Sequence, residues 1–179
     1  AEKGSWTAGG GGALISQGIH QVDLLRWIAG PIQDVAGMWQ IGARHRIAVE
    51  DVLAAVLRYA NGATGVIQAS TALWPGYAER LEIHGTLGSA MVAGDQLIAW
   101  DVERDDGDPP PLQGASASGA SDPMAISLAP FERQFRDFAD AIWSGRRPLV
   151  SGEDGYEALA VVDAIYRSCR SGERVRISS

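Results

Sequence analysis

The stretch GGGGALISQGIHQVDLLRWIAGP, from Gly9 to Pro31, constrains this chain more than any other. Four glycines open an apolar run that Gly30-Pro31 closes. Small and flexible at its start and stopped by a Gly-Pro pair, the run predicts a helix over residues 14–28, about four turns long. Wound at about 100° per residue, Ser16, His20, Asp23 and Trp27 share one narrow stripe at i, i+4, i+7 and i+11. Leu14, Ile15, Ile19, Val22, Leu24, Leu25 and Ile28 fill most of the remaining circumference, so the helix is expected to be mostly buried. A buried imidazole or carboxylate needs a partner. Two readings of His20 follow: a core histidine satisfied by Asp23 one turn on, or a general acid/base projecting into a cleft. The spacing alone does not choose between them.

Bulk properties exclude several classes of function. A chain of 179 residues suffices for one domain, residues 1–179, that buries roughly 70% of its unfolded surface. The net charge of −7 argues against a nucleic-acid surface, whose footprint would be basic. No apolar run is long enough to span a bilayer, and the opening Ala-Glu-Lys-Gly-Ser lacks a signal-peptide pattern, so no membrane partner is expected. With Cys169 as its single cysteine the chain has no disulfide framework, and a cytoplasmic setting is the default expectation. The histidines at 20, 45 and 84 have no metal-ligand spacing, and no metal site is expected.

Residues 3–7 have the look of a short strand, with Lys3 at the surface. The glycine run after it is a poor dinucleotide-binding turn, because Ile15 stands where the last glycine of G-x-G-x-x-G belongs. Beyond the helix the period changes to that of strands, over residues 32–41, 51–59, 64–73, 80–84, 89–92 and 96–102. Asn61-Gly62 is the strongest hairpin signal, and such short connections demand an antiparallel meander. Partial alternation suggests helices over one face, with the other half-apolar face free to form an interface. Arg44-His45-Arg46 reads as an exposed basic loop, Glu50-Asp51 as a solvated strand entrance and His84 as structural. Trp74 and Tyr77 flank Pro75-Gly76 on a loop of the kind that lines sugar sites. Residues 104–128 have the composition of a flexible loop. Pro130 then opens a helix whose stripe of Phe131, Phe135, Phe138 and Ile142 reads as core. Ser151 and Asp154 make a capping-box-like start to a helix over residues 155–170, buried along Leu159, Val162, Ile165 and Cys169 and ended by Gly172. Residues 174–177 read as an edge strand.

GGG-x-L followed by a polar residue and G-x-H-x-x-D on a Leu-rich helix resembles the Gfo/Idh/MocA family of nicotinamide-dependent sugar and polyol oxidoreductases, at the helix that opens its C-terminal domain. VEDVLAAVLRYANGATGVIQAS, ERLEIHGTLGSA and SGEDGYEALAVVDAIYRSCRSGERV resemble later segments of the same domain in the same order. Glu2-Lys3 does not match the family's Glu-Lys-Pro, since Gly4 replaces the proline and the motif belongs to another domain. The resemblance implies an α+β fold, an open, mainly antiparallel sheet with helices packed on one face. It implies that the N-terminal Rossmann domain, which binds NAD or NADP, is absent from this chain, so that the fragment neither binds a dinucleotide tightly nor transfers hydride alone. His20 would lie in the active site against the sugar or polyol hydroxyl being oxidised. Ser16 stands where the family commonly has a carboxylate or amide; with Trp74 and Tyr77 it would contact substrate, while Asp23 would orient the His20 helix or its neighbours. The free sheet face would build a homodimer or homotetramer. The rival expectation is a non-catalytic oligomerisation or ligand-binding module on the same scaffold.

Overall fold

A computed structural model of the chain describes residues 4–94, 96–103 and 128–177. In chain order its elements are α1 (Trp6–Gly9), a π-helical turn (Leu14–Gly18), α2 (Ile19–Ala29), β1 (Ile32–Ile41), β2 (Glu50–Tyr59), β3 (Thr64–Ser70), β4 (Arg80–Gly85), β5 (Gly88–Ala93), β6 (Gln96–Val102), α3 (Ala129–Ser144), α4 (Gly152–Ser171) and β7 (Val175–Arg176). Two compact units result, Ala1–Leu73 with Ser144–Ser179, and Trp74–Trp143.

The first unit is a four-stranded sheet in the order β3-β2-β1-β7, with every pairing antiparallel. Period-2 alternation along β2 sets its two faces. Leu53, Ala55, Leu57 and Tyr59 are buried on one side, while Ala54, Val56 and Arg58 are exposed on the other. Leu14, Val22, Val161, Val162 and Ile165, from the π turn, α2 and α4, close the buried face in a single core with Val35, Leu53 and Leu57. Helices thus cover one face of an open antiparallel sheet, as predicted. The Asn61-Gly62 turn joins β2 to β3 as expected, with Gly62 at φ +90°. Asn61 also donates through Nδ2 to the carbonyl of Ala29 at 3.0 Å, tying the hairpin to the end of α2. The predicted capping box of α4 is present: Ser151 Oγ accepts from the Asp154 N–H, and Asp154 Oδ2 accepts from the Ser151 N–H. Gly172, at φ +73°, ends that helix. The predicted edge strand is β7.

Two local expectations change in this unit. Trp6 and Thr7, read as part of a strand, lie in α1, where one helical turn sets the Trp6 ring 5.2 Å from both the Trp39 and Tyr166 rings. Lys3 lies outside the described residues. The helix after the glycines begins as a π turn and is only partly buried: Leu14, Gly18 and Val22 face the core, while Trp27 and Ile28 are exposed.

The second unit carries its own antiparallel sheet, β4-β5-β6, so the predicted strands divide between two sheets instead of forming one meander. The break falls after β3, which stops at Ser70 and not at residue 73. Ser70 Oγ there donates to the Asp51 carbonyl and accepts from the Ala72 N–H, both at 3.0 Å, a local turn that competes with the strand ladder. The stripe on α3 is a second correction. Phe131, Phe135, Phe138 and Ile142 are exposed, and Ala141 is the buried residue of that helix. Periodicity identifies residues that share a face, but not what covers it. The predicted loop over residues 104–128 lies, except for Leu128, outside the described residues.

The assignment of the two sheet faces is open to a direct test by urea denaturation. Leu53→Ala is expected to cost about 2–5 kcal/mol as a cavity in the core. Val66→Ala, on the exposed face, is expected to change stability by less than about 0.5 kcal/mol in the isolated subunit.

Candidate functional site

Glu50 and Asp51 open β2, and both side chains are fully buried, contrary to the solvated strand entrance expected of them. Each carboxylate is buried because it gathers backbone N–H groups that would otherwise lack partners. Glu50 Oε2 accepts from the Gly12 N–H at 2.8 Å, and its Oε1 accepts from the Leu14 N–H at 3.0 Å and the Tyr166 hydroxyl at 2.8 Å. Tyr166 Oη in turn accepts from the Ile15 N–H at 3.3 Å. The donors exposed at the start of a helix are thereby satisfied by a carboxylate and a phenol from elsewhere in the chain. Burial pushes the Tyr166 phenol well above its usual range, and the hydrogen bond to Glu50 and that carboxylate's charge push it further.

This arrangement accounts for the glycine run. A Cβ on Gly12 would collide with the Glu50 carbonyl, and one on Gly11, at φ +154°, with the Tyr166 ring, whose Cζ would lie 2.7 Å away. The glycines let the chain approach the carboxylate and phenol closely. They form no cradle for a phosphate, because a carboxylate already holds the N–H groups that a phosphate would use.

Asp51 serves the loop between β1 and β2. Its Oδ1 accepts from the Ala43 N–H at 2.9 Å, and its Oδ2 from the N–H groups of Arg44 at 2.8 Å and His45 at 3.2 Å. Burial pushes its carboxyl up, but these backbone hydrogen bonds together outweigh that and hold it below the usual carboxylate range. His45 Nε2 lies 3.0 Å from the Thr71 carbonyl. Arg44 and Arg46 are exposed, as expected of a basic loop.

On this frame stand the residues singled out from sequence. Ser16, within the π turn, is exposed, and its hydroxyl donates to the Gly12 carbonyl at 2.6 Å. His20, four residues on in the first turn of α2, is also exposed, and its imidazole makes no hydrogen bond or ion pair among the described residues. Asp23 pairs with Arg26 at 3.7 Å, not with His20. A core histidine satisfied by Asp23 is therefore not what the chain contains. Arg26 also binds the Glu157 carboxylate and the Asp154 carbonyl, so Asp23 belongs to a cluster joining α2 to α4. Trp74 and Tyr77 belong to the second unit, where they are 81% and 84% exposed. His84, in β4, lies with its Nδ1 2.9 Å from Ser89 Oγ.

The sequence held one overlooked signal. Neighbours in a strand point to opposite faces, so Glu50 and Asp51 cannot both point away from a core on one side of the sheet. Tyr166 offered none, sitting on the buried stripe of an amphipathic helix like any apolar residue.

The model of the GFO/IDH/MocA C-terminal domain matches residues 1–91. D-apiose dehydrogenase from Paraburkholderia graminis is 29% identical over 174 residues, spanning 90% of this chain and 44% of that protein. Inositol 2-dehydrogenase from Rhizobium meliloti is 25% identical over 173 residues, spanning 94% of this chain and 50% of that protein. Among solved structures, the WlbA dehydrogenase from Bordetella pertussis, in complex with NADH and UDP-GlcNAcA, superposes with a TM-score of 0.78 at 27% identity and covers 99% of this chain and 49% of its own. The chain spans about half the length of the curated relatives it matches.

Gly12→Ala should lower the urea midpoint through overpacking against Glu50, at a cost of about 1–3 kcal/mol. Asp51→Asn, with a single acceptor oxygen, should speed amide exchange at Ala43, Arg44 and His45. Because the folded Asp51 carboxyl is held below its ordinary value, its contribution is complete above about pH 3.9 and lost as pH falls through the lower folded value. Amide protection in this loop should therefore persist through the ordinary carboxylate titration range and fail only below it.

Proposed function

The chain belongs to the GFO/IDH/MocA C-terminal-domain family, and from that premise we propose that it is the substrate-side half of an NAD(P)-dependent oxidoreductase acting on a hydroxyl of a sugar, polyol or related compound. The observation that carries this reading is His20: an exposed imidazole, without a protein partner among the described residues, held on a helix whose start and end are both tied down. The dehydrogenase activities of the relatives support the reaction class.

In this reading an N-terminal half binds NAD or NADP, and the bound nicotinamide takes the hydride. The residues of this chain handle the substrate and its proton. His20 accepts the proton of the hydroxyl that becomes the carbonyl, a task suited to an imidazole, which can take and return a proton near neutral pH. Ser16 holds the substrate hydroxyl beside it. Asp23, through Arg26, steadies α2 against α4. Alone, these residues are inactive, because the nicotinamide that takes the hydride is held by the N-terminal half. The protein works in the cytoplasm.

The outer sheet face supports a homo-oligomer. Met38, Val56 and Val66, from three adjacent strands, are all exposed there, with Val56 and Val66 directly paired across β2 and β3. Such a patch suits burial against a second copy.

His20→Ala in the full-length enzyme is expected to lower kcat by about 10²–10⁴-fold; unchanged turnover would refute the role given to it. Val66→Glu is expected to shift the mass measured by light scattering from dimer or tetramer toward monomer, and an unchanged mass would remove the sheet face from the assembly.

A further inference from the structure

We propose that Glu50 and Tyr166 are positioning residues for His20, setting the placement of its imidazole through the backbone of the π turn. The proposal rests on the reading of His20 above and adds two residues that touch no substrate.

The π turn has no cap of its own. Ala13 stands at its N-cap position with no side-chain hydrogen bond. A local serine or aspartate would satisfy such donors at the surface, without burying a charge. Here the donors reach across the fold, to a carboxylate 36 and 38 residues away and a phenol 151 residues away. The start of the helix is therefore referenced to β2 and α4, not to the loop that precedes it. Gly18 continues this contact, because its Cβ position lies 3.4 Å from the Ala69 Cβ on β3. The far end is fixed separately, by Asn61 on the Ala29 carbonyl and by Arg26 on α4. Between these ends the backbone takes the rare π form, the kind of local irregularity found at functional sites. His20 follows Ile15, the last residue whose N–H is held by Glu50 or Tyr166, by five positions. A rotation or slip of the π turn would be passed directly to its imidazole.

Tyr166 is itself held. Its ring packs edge-on to Trp6 at 5.2 Å and lies 5.8 Å from Trp39, and the Arg170 guanidinium stands 4.8 Å from the Trp6 ring. Removing the hydroxyl should therefore leave the ring in place and release only the Ile15 N–H and one hydrogen bond of Glu50.

Tyr166→Phe is made alone and together with His20→Ala in the full-length enzyme, with folding checked by circular dichroism. Alone, Tyr166→Phe is expected to lower kcat by about 10-fold with KM within about two-fold, as a displaced catalytic group does. In the His20→Ala background the same change should alter kcat by less than about two-fold, because the group it positions is gone. Glu50→Gln should show the same non-additivity with a larger first loss, and if it fails to fold the decision rests on Tyr166→Phe. In the 179-residue chain, Tyr166→Phe should also shift the NMR resonances of the His20 ring. An equal loss in both backgrounds, an unchanged kcat, or an unmoved His20 ring would each overturn the proposal while leaving His20 its role. Unchanged turnover in His20→Ala alone would instead remove that role, and the positioning proposal with it.

Discussion

The buried carboxylate of Glu50 is the constraint around which the first unit is arranged. A charge taken out of water is tolerated only when its oxygens are fully engaged, and here two backbone amides and a phenol engage them. Each donor places a demand on the sequence. The amides come close only because residues 11 and 12 have no side chains. The phenol must reach in from α4, which brings that helix onto the sheet, where Gly37 gives it room: a Cβ there would lie 2.8 Å from Cys169 Sγ. The same burial and the same negative charge push the Cys169 thiol up to about 11, leaving it a packing group rather than a nucleophile near neutral pH.

The two acids at the head of β2 divide their work because adjacent strand residues diverge. Glu50 fixes the helix that carries Ser16 and His20, while Asp51 fixes the loop that carries Arg44 and His45. One dipeptide thus sets both the chemistry-bearing helix and its neighbouring loop relative to a single strand. Substitution at either acid would disturb the surroundings of the site without touching an exposed residue.

What could be read from the sequence divides along physical lines. Hairpin chemistry at Asn61-Gly62, the capping box at Ser151 and Asp154, and the alternation of β2 are local signals, and the structure carries all three. The resemblance of the glycine-to-His20 segment was also local, and the family is the one it indicated. The failures are long-range. The adjacency of Glu50 and Asp51 signals that one of them turns inward, but nothing near Glu50 reveals that its partners lie 36 or more residues away. A regular α-helix from residue 14 is what the periodicity predicts; the π turn found there starts where Gly12, Leu14 and Ile15 are held by long-range hydrogen bonds. The periodicity of α3 shows that Phe131, Phe135, Phe138 and Ile142 share one face but not that this face is exposed, since burial depends on what lies opposite. The helix that carries His20 is less buried than its wide apolar arc suggests, because Ser16, His20 and Trp27 of its polar stripe are exposed.

The hydrogen-bonding state of Ser16 narrows what it can offer a substrate. A hydroxyl has one proton, and that of Ser16 is committed to the Gly12 carbonyl at 2.6 Å. Toward a ligand it can therefore act only as an acceptor unless that bond breaks. A neutral imidazole also presents one acceptor nitrogen. In the proposed function, two acceptors set four residues apart on one exposed helix start suit the hydroxyl donors of a sugar or polyol. Of the two, only an imidazole can take a proton near neutral pH, so in the proposed function, with Ser16 where the family commonly has a carboxylate or amide, proton transfer falls to His20. The orientation of that one side chain then matters more than it would in a site with two groups able to take the proton, and orientation is what a buried carboxylate at the start of its helix supplies.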